Sequence, residues 1–336
     1  MRQGIAIAGN IVVDTIKHID NFPTRLGLVT IRGLERSLGG SVFNVGGALA
    51  NFDSNMPITL IGLAGQDSDG DYALAEIGKY PNIDLSGVVR EGRTAFTDVL
   101  AEETTKERTF LHYRGANSMF GPEHIDFDKL NVKLLHIAYI LLLDKMDSPD
   151  AEFGTQMARA LNMARQRGIL TCVDVVSEVG ERFKSIVPPA LKYADYVCIN
   201  EIEAGGTVGF PLRDDSEALI MDRIPEALAK LKAMGVRKWA VIHTPEGGFG
   251  MDERGEYIVR PGLMLPPGFI KGTVGAGDAF CAGLLRAIHE DEPLGQALED
   301  AIACAASSLS TAGSTEGTYP VDKARALYRD MPKRTV

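Results

Sequence analysis

Cysteine is scarce in this sequence, and what there is lies scattered. The four residues Cys172, Cys198, Cys281 and Cys304 form no CxxC pair and have no histidine at metal-ligand spacing. That argues for reduced, buried thiols rather than a disulfide framework or a zinc site, and for a cytoplasmic setting. Long apolar runs are missing too. The longest, Leu134 to Leu143, contains His136 and is too short to span a bilayer. The N-terminal stretch turns polar too soon for a signal peptide, so a soluble, intracellular protein is expected. Positive charge is in deficit: 35 Lys plus Arg stand against 45 Asp plus Glu, a formal net charge of −10. That is the wrong sign for a protein living on nucleic-acid or lipid phosphates, so neither partner is expected. A local anion site stays open, because backbone N–H groups can make one without any cation.

Among what is present, 45% hydrophobic and 24% charged residues are ordinary globular values, which exclude a disordered, collagenous or coiled-coil chain and allow a large core. No internal repeat, low-complexity segment or Pro/Gly/Ser linker divides the chain. Short β-rich runs (5–8, 58–63, 136–143, 169–175, 196–199, 239–243) alternate with helical patterns (42–52, 70–80, 151–167, 224–234, 278–290, 295–310). Continuous apolar strands between amphipathic helices predict a mostly parallel sheet covered on both faces. Two stretches, about 11–37 and 94–114, alternate apolar and polar instead. They read as half-buried antiparallel strands that would form a small sheet over a ligand.

The chemistry concentrates near the C-terminus in Gly275-Ala276-Gly277-Asp278. Phe280, Leu284, Ala287 and Ile288 follow at helical spacing, so the glycines sit where a helix begins. Backbone N–H groups converge there, and the helix dipole adds roughly half a positive charge. Asp278, in the first turn, faces the same space. A carboxylate beside an anion cradle is unhelpful for holding phosphate but useful for taking a proton from a hydroxyl that attacks one. The plainer alternative is an Asp that merely caps a helix. A dinucleotide fingerprint fails for want of a third glycine, and no GxxxxGK[ST] occurs. A second glycine-rich segment, Gly39-Gly40-x-x-x-Asn44, precedes a helical pattern. It serves either close ligand approach or, with Gly46, Gly47 and Ala48, tight helix packing. Asp14 alone would read as a turn residue.

Together these segments resemble the ribokinase-like (PfkB) family of carbohydrate and nucleoside kinases. Gly275 to Asp278 is similar to the family's C-terminal signature and Gly39-Gly40-x-x-x-Asn44 to its N-terminal one. The run from Gly62 to Gly70 is similar to GxxGxDxxG, Asn200-Glu201-Ile202-Glu203 to NxxE, and Thr244 to Gly250 to TxGxxG. The resemblance implies a single α/β domain over 1–336, a three-layer αβα sandwich with a small β-sheet lid. It implies ATP and Mg²⁺, with Asp278 as catalytic base and the N–H groups of Gly275, Ala276 and Gly277 as anion hole. Asn200, Thr244, Gly247 and Gly277 would hold the nucleotide, and Glu203 the metal. Asp14, Gly39, Gly40 and Asn44 would hold substrate hydroxyls. Three departures stand out. Gly272 occupies the place of an Asp that commonly helps bind an activating K⁺. The TxGxxG match carries one extra residue. Val12 replaces a usual polar residue, while Asn10 resembles the Gly-Asn start of adenosine kinases.

The expected reaction is ATP-dependent phosphorylation of a hydroxymethyl group on a ribose- or fructose-like sugar. A nucleoside kinase for an adenosine-, inosine- or pseudouridine-like substrate is the alternative, with Phe22, Phe96, Phe110 and Tyr113 as candidates to cover a base. Those aromatics otherwise pack the lid sheet itself. A non-catalytic sensor of the same fold would have lost its base, yet Asp278 is present. The six scattered histidines receive no catalytic role, and an exposed apolar lid face would favour a homodimer.

Overall fold

Runs of aliphatic and β-branched residues buried on both faces build the central sheet. The computed structural model describes residues 2–105, 107–178 and 180–336; Met1, Val179 and Lys106, the last within the second lid stretch, lie outside the described residues. The sheet contains β1 (Ile5–Gly9), β4 (Ile58–Ala64), β5 (Ile83–Arg90), β8 (Leu134–Ile140), β11 (Leu170–Val175), β12 (Tyr196–Asn200), β13 (Trp239–Thr244), β14 (Gly247–Met251) and β15 (Tyr257–Pro261). Their spatial order is β15-β14-β13-β12-β11-β8-β1-β4-β5. Pairing is parallel from β13 to β5 and antiparallel along the β13-β14-β15 edge.

Helices α1 (Ser41–Phe52), α2 (Ser68–Ile77), α8 (Ala276–His289), α9 (Leu294–Ser308) and α10 (Val321–Asp330) bury their apolar stripes against one face. The other face is covered by α4 (Gln156–Gln166), α5 (Phe183–Leu191), α6 (Glu201–Val208) and α7 (Arg223–Ala233). Between β8 and α4 lie the single turn α3 (Asp144–Asp147) and a ribbon of β9 (Pro149–Asp150) with β10 (Gly154–Thr155). This ribbon is why the helix expected from Ala151 begins only at Gln156, where the Thr155 hydroxyl caps the Ala158 N–H. The helix over Phe183–Leu191 is absent from the sequence expectation because Pro188 and Pro189 break its pattern. Strand β8 ends earlier than its apolar run, at Ile140, since Leu141 turns to φ 83°.

The small sheet takes its strands from the two alternating stretches: β2 (Val12–Ile19), β3 (Ile31–Gly39), β6 (Ala95–Glu102) and β7 (Arg108–Tyr113), in the order β3-β2-β6-β7. Within each stretch the pairing is antiparallel, as expected, but β2 and β6 run parallel. Alternation reports one buried face and does not distinguish the two pairings. The register sets Ser37, Asp14, Thr97 and His112 in one row across the sheet.

The chain leaves β1 for β4 and β5 on one side, then returns to β8 on the other. The sheet therefore reverses its winding between β1 and β8, and a crevice opens at the carboxyl ends of those strands. Among the described residues no helix is long and apolar enough to cross a membrane.

Candidate active site

At the switch point β1 runs out into Asn10 and Ile11. The buried Asn117 amide clamps this turn, donating to the Ile11 carbonyl at 3.0 Å and accepting from the Ile11 N–H at 3.1 Å. That fixes the path of β2 and with it Asp14. Burial raises the Asp14 carboxyl above its ordinary range, against a hydrogen bond from Thr97. Gly39 is glycine for clearance: a Cβ there would stand 2.4 Å from Asp14 Oδ2. Gly40 is glycine for conformation. It precedes α1 at φ 82°, and a Cβ would meet the Asn10 carbonyl oxygen at 2.4 Å. The packing explanation holds as well, but for Gly46, whose Cβ would touch Leu60 at 2.8 Å. One turn into α1, Asn44 Nδ2 donates to Asp278 Oδ2 at 3.0 Å.

Gly275 takes the left-handed conformation, φ 77°, immediately before α8. Asp278 follows in the first helical turn, and its oxygens are engaged elsewhere than in capping. Oδ2 accepts from Asn44, and Oδ1 accepts the Tyr139 hydroxyl at 2.7 Å. Burial pushes this carboxyl up to about 6, with the bonds from Tyr139 and Asn44 opposing the rise. Tyr139 lies inside an apolar run whose pattern signals only a strand, so sequence reasoning passes it by.

A cavity of about 270 Å³ opens before Asp278, lined by Tyr139, Asp174, Ser177, Asn200, Glu203 and the 275–278 turn. Asn200 caps α6, its Oδ1 accepting from the N–H groups of Ile202 and Glu203, while Glu203 returns a bond to the Asn200 N–H at 2.9 Å. The NxxE segment is thus also a capping box. Glu203 accepts from Ser177 Oγ and Asn200 Nδ2 as well, both at 2.8 Å. Burial nevertheless lifts it to about 7. Asp174, at the end of β11, belongs to no motif of the sequence. Its buried Oδ1 has no hydrogen-bond partner among the described residues. Burial raises it well above the carboxylate range, and Cys281, Asp278 and Glu203 add to the effect. Three carboxyl groups on one small cavity, one with an unpartnered oxygen, fit a hard, partly hydrated dication.

A second cavity, about 440 Å³, adjoins the first and shares Asn200, His243, Thr273, Ala276 and Gly277 with it. Its walls are mainly apolar, including Leu263, Leu265, Ile270, Ile302 and Leu309. Thr244 lines it and accepts from the N–H groups of Glu246 and Gly247, holding the β13–β14 turn. Gly247 does not line it. Gly247 pairs with Pro261, where a Cβ would meet the Arg260 carbonyl oxygen at 2.4 Å. The extra residue has a use: Arg213 bridges Glu246 to Glu201, tying the turn to the start of α6. His243, given no role from sequence, lines both cavities and stacks on Phe280 with ring centroids 4.9 Å apart. Burial lowers it to about 4, so it is neutral at physiological pH. Position 272 has no carboxylate to offer a monovalent cation, and a Cβ there would lie 2.9 Å from the Ala312 carbonyl oxygen. A wider groove of about 880 Å³ beside β4 and β5 shares no residue with either cavity.

Of the four lid aromatics, Phe96 and Tyr113 pair on the sheet face opposite Asp14, their centroids 5.3 Å apart. They pack the lid. Phe110 lies on the Asp14 face by register, and Phe22 lies outside the lid strands.

The chain is 29% identical over 310 residues to an ATP-dependent ribose-1-phosphate kinase of Halopiger xanaduensis, covering 91% of this chain and 92% of that one. Its fold is similar to the structure of Arabidopsis thaliana ribokinase complexed with ribose and ATP, with a TM-score of 0.80, 18% identity and coverage of 98% and 99%. It is similar also to ribokinase from Thermotoga maritima, with a TM-score of 0.79, 19% identity and coverage of 98% and 100%. Residues 3–321 match the sequence profile of the pfkB family carbohydrate kinases, and the chain therefore belongs to that family.

Proposed function

We propose that this protein transfers the γ-phosphoryl group of ATP to a hydroxymethyl group of a small, ribose- or fructose-like sugar. The observation that carries this reading is Asp278, held between Tyr139 and Asn44 at the mouth of the Gly275 turn. The sugar lies between the lid and the switch point. There Asp14 accepts from its hydroxyls, and the backbone at Gly39 and Gly40 lets it approach closely. Asn10 Oδ1 and Asn44 Oδ1, buried and unpartnered among the described residues, are acceptors that sugar hydroxyl donors would satisfy. The nucleotide occupies the apolar cavity beside Thr244, with Asn200 and Gly277 toward its phosphates.

In the transfer, Asp278 takes the proton of the attacking hydroxyl as its oxygen bonds to the γ-phosphorus and the bond to ADP breaks. The N–H groups of Gly275, Ala276 and Gly277, at the positive end of α8, stabilise the charge on the moving phosphoryl oxygens. Mg²⁺ would be held by Glu203 and Asp174, with Asn200 beside them, and supplies neutralisation of phosphate charge. No step is assigned to K⁺. The protein acts in the cytoplasm as a homodimer.

The test is coupled ADP release with ATP and Mg²⁺ against pentoses, ketohexoses, nucleosides and ribose 1-phosphate. Turnover on a free sugar that falls about 10²–10⁴-fold in Asp278→Asn is expected. Undiminished turnover in that variant refutes the base. The 29% identity to a ribose-1-phosphate kinase makes a second reading specific. Preference for ribose 1-phosphate over every free sugar would establish it, and preference for a nucleoside would establish the nucleoside alternative.

A further inference from the structure

The thiols that lie apart in sequence meet in the fold. Strands β8, β11 and β12 are neighbours, and their register sets His136 against Cys172. Helix α8 crosses that face and brings Cys281 onto it, one turn beyond Asp278. Cys281 Sγ is 3.7 Å from His136 Nε2. One ligand atom from each of His136, Cys172 and Cys281 lies within 4.8 Å of the other two, and all three residues are buried. Asp174 Oδ2 stands 3.8 Å from the same His136 nitrogen. All these cysteines are free thiols.

Around a tetrahedral zinc, with Zn–S near 2.3 Å and Zn–N near 2.0–2.1 Å, ligand atoms stand about 3.5–3.8 Å apart. The Cys281–His136 pair already has that separation, and Cys172 needs to close by no more than about an ångström. Two thiols and an imidazole are soft and borderline donors, suited to zinc-like ions and poorly suited to Mg²⁺. Asp174 adds an oxygen donor at the edge of the group: it is 8% exposed, and its Oδ2 is the oxygen beside His136. Cys281 and Asp174 also line the 270 Å³ cavity, which supplies a way in. Sequence spacing hides the group because its members come from two parallel strands and a helix.

We infer that His136, Cys172 and Cys281 form a site for one thiophilic divalent cation of the zinc type, adjoining the carboxylates that face the phosphates at Asp174. An ion there would stand directly behind the turn that carries Asp278.

Titration of the full-length, reduced, chelator-treated protein with Cd²⁺ tests this. A thiolate-to-cadmium charge-transfer band saturating at one equivalent per chain is expected, undiminished by excess Mg²⁺. Cys172→Ala should weaken binding at least tenfold, while Cys304→Ala, buried on α9 outside the group, should leave it unchanged. No band in the unaltered protein, or equal binding by Cys172→Ala, overturns the site. Should Cys172→Ala fail to fold, Co²⁺ added to the unaltered protein decides. Intense tetrahedral d–d absorption with thiolate charge transfer is expected, and the weak spectrum of octahedral cobalt overturns it.

Discussion

Tyr139 donates its hydroxyl to Asp278 Oδ1 at 2.7 Å, joining the carboxyl end of β8 to the first turn of α8. The bond balances two opposed demands on the base. Burial alone would leave Asp278 protonated and useless, whereas hydrogen bonds to its charged form hold it ionised near neutrality. A carboxyl near 6 is charged at pH 7 and still basic enough to accept a proton.

Tyr139→Phe therefore raises the pKa of Asp278, because it removes a bond made to the carboxylate. A net bond to a charged group contributes about 1.5–3 kcal/mol, roughly one to two pKa units from a starting value of about 6, so the ionised fraction and turnover at pH 7 should fall roughly two- to fifteenfold. The acid limb of the kcat/KM profile should move to higher pH. A profile superimposable on that of the unaltered enzyme would show that Tyr139 does not position the base.

Gly39→Ala places a methyl group 2.4 Å from Asp14 Oδ2, and the carboxylate must swing away. The KM for the sugar should rise more than tenfold while the KM for ATP stays constant, since Gly39 does not line the nucleotide cavity. Equal effects on both constants would mean that Asp14 does not contact substrate.

The legibility of this site in sequence follows from what each residue does. Gly39, Gly40 and Gly275 stand out because backbone geometry or clearance demands glycine, and such demands leave local motifs. Asp278 and Asn44 are found because they lie one turn from those glycines. The alternating apolar strands and amphipathic helices likewise expose the layered fold. Tyr139, Asp174 and His243 are hidden because each closes a different parallel strand. Their proximity is created by strand order, and no spacing along the chain encodes it. Thr244 and Gly247 fall between these cases: the motif locates the turn, while only the fold shows that Thr244 lines the cavity and that Gly247 is paired with Pro261.

Asp278→Asn should stabilise the fold in a pH-dependent way. The carboxyl moves from an ordinary 3.8 to about 6 on folding, so its ionised form is disfavoured in the native state. That cost is fully present above about pH 6 and absent below 3.8, with an upper size of about 3 kcal/mol at 1.36 kcal/mol per unit. Whatever constant offset the amide brings through its bonds to Tyr139 and Asn44, the stability gained over the unaltered protein must grow as pH rises from 4 to 7. Chemical denaturation across that range measures it, and a difference independent of pH would place the base in a more solvated setting than the fold indicates.

The lid leaves an apolar surface that a single chain does not cover. On the face opposite Asp14, the register gathers Leu34, Leu111 and Tyr113, with Leu34 67% and Leu111 56% exposed. The Lys17–Asp98 ion pair lies on the same face and supplies polar character at its middle. Exposed apolar side chains on a four-stranded sheet with open edges favour burial against a second copy. Light scattering should therefore give the mass of a dimer, and Leu34→Glu combined with Leu111→Glu should give a monomer that retains the far-UV circular dichroism of the unaltered protein. Both substitutions replace exposed side chains, so loss of the dimer would not reflect unfolding. Because β2 and β3 carry Asp14 and Gly39, the monomeric variant should also bind sugar more weakly, the lid having lost its outer support. A strict monomer in the unaltered protein, at concentrations up to those used for assay, would show that no second copy covers this face of the lid.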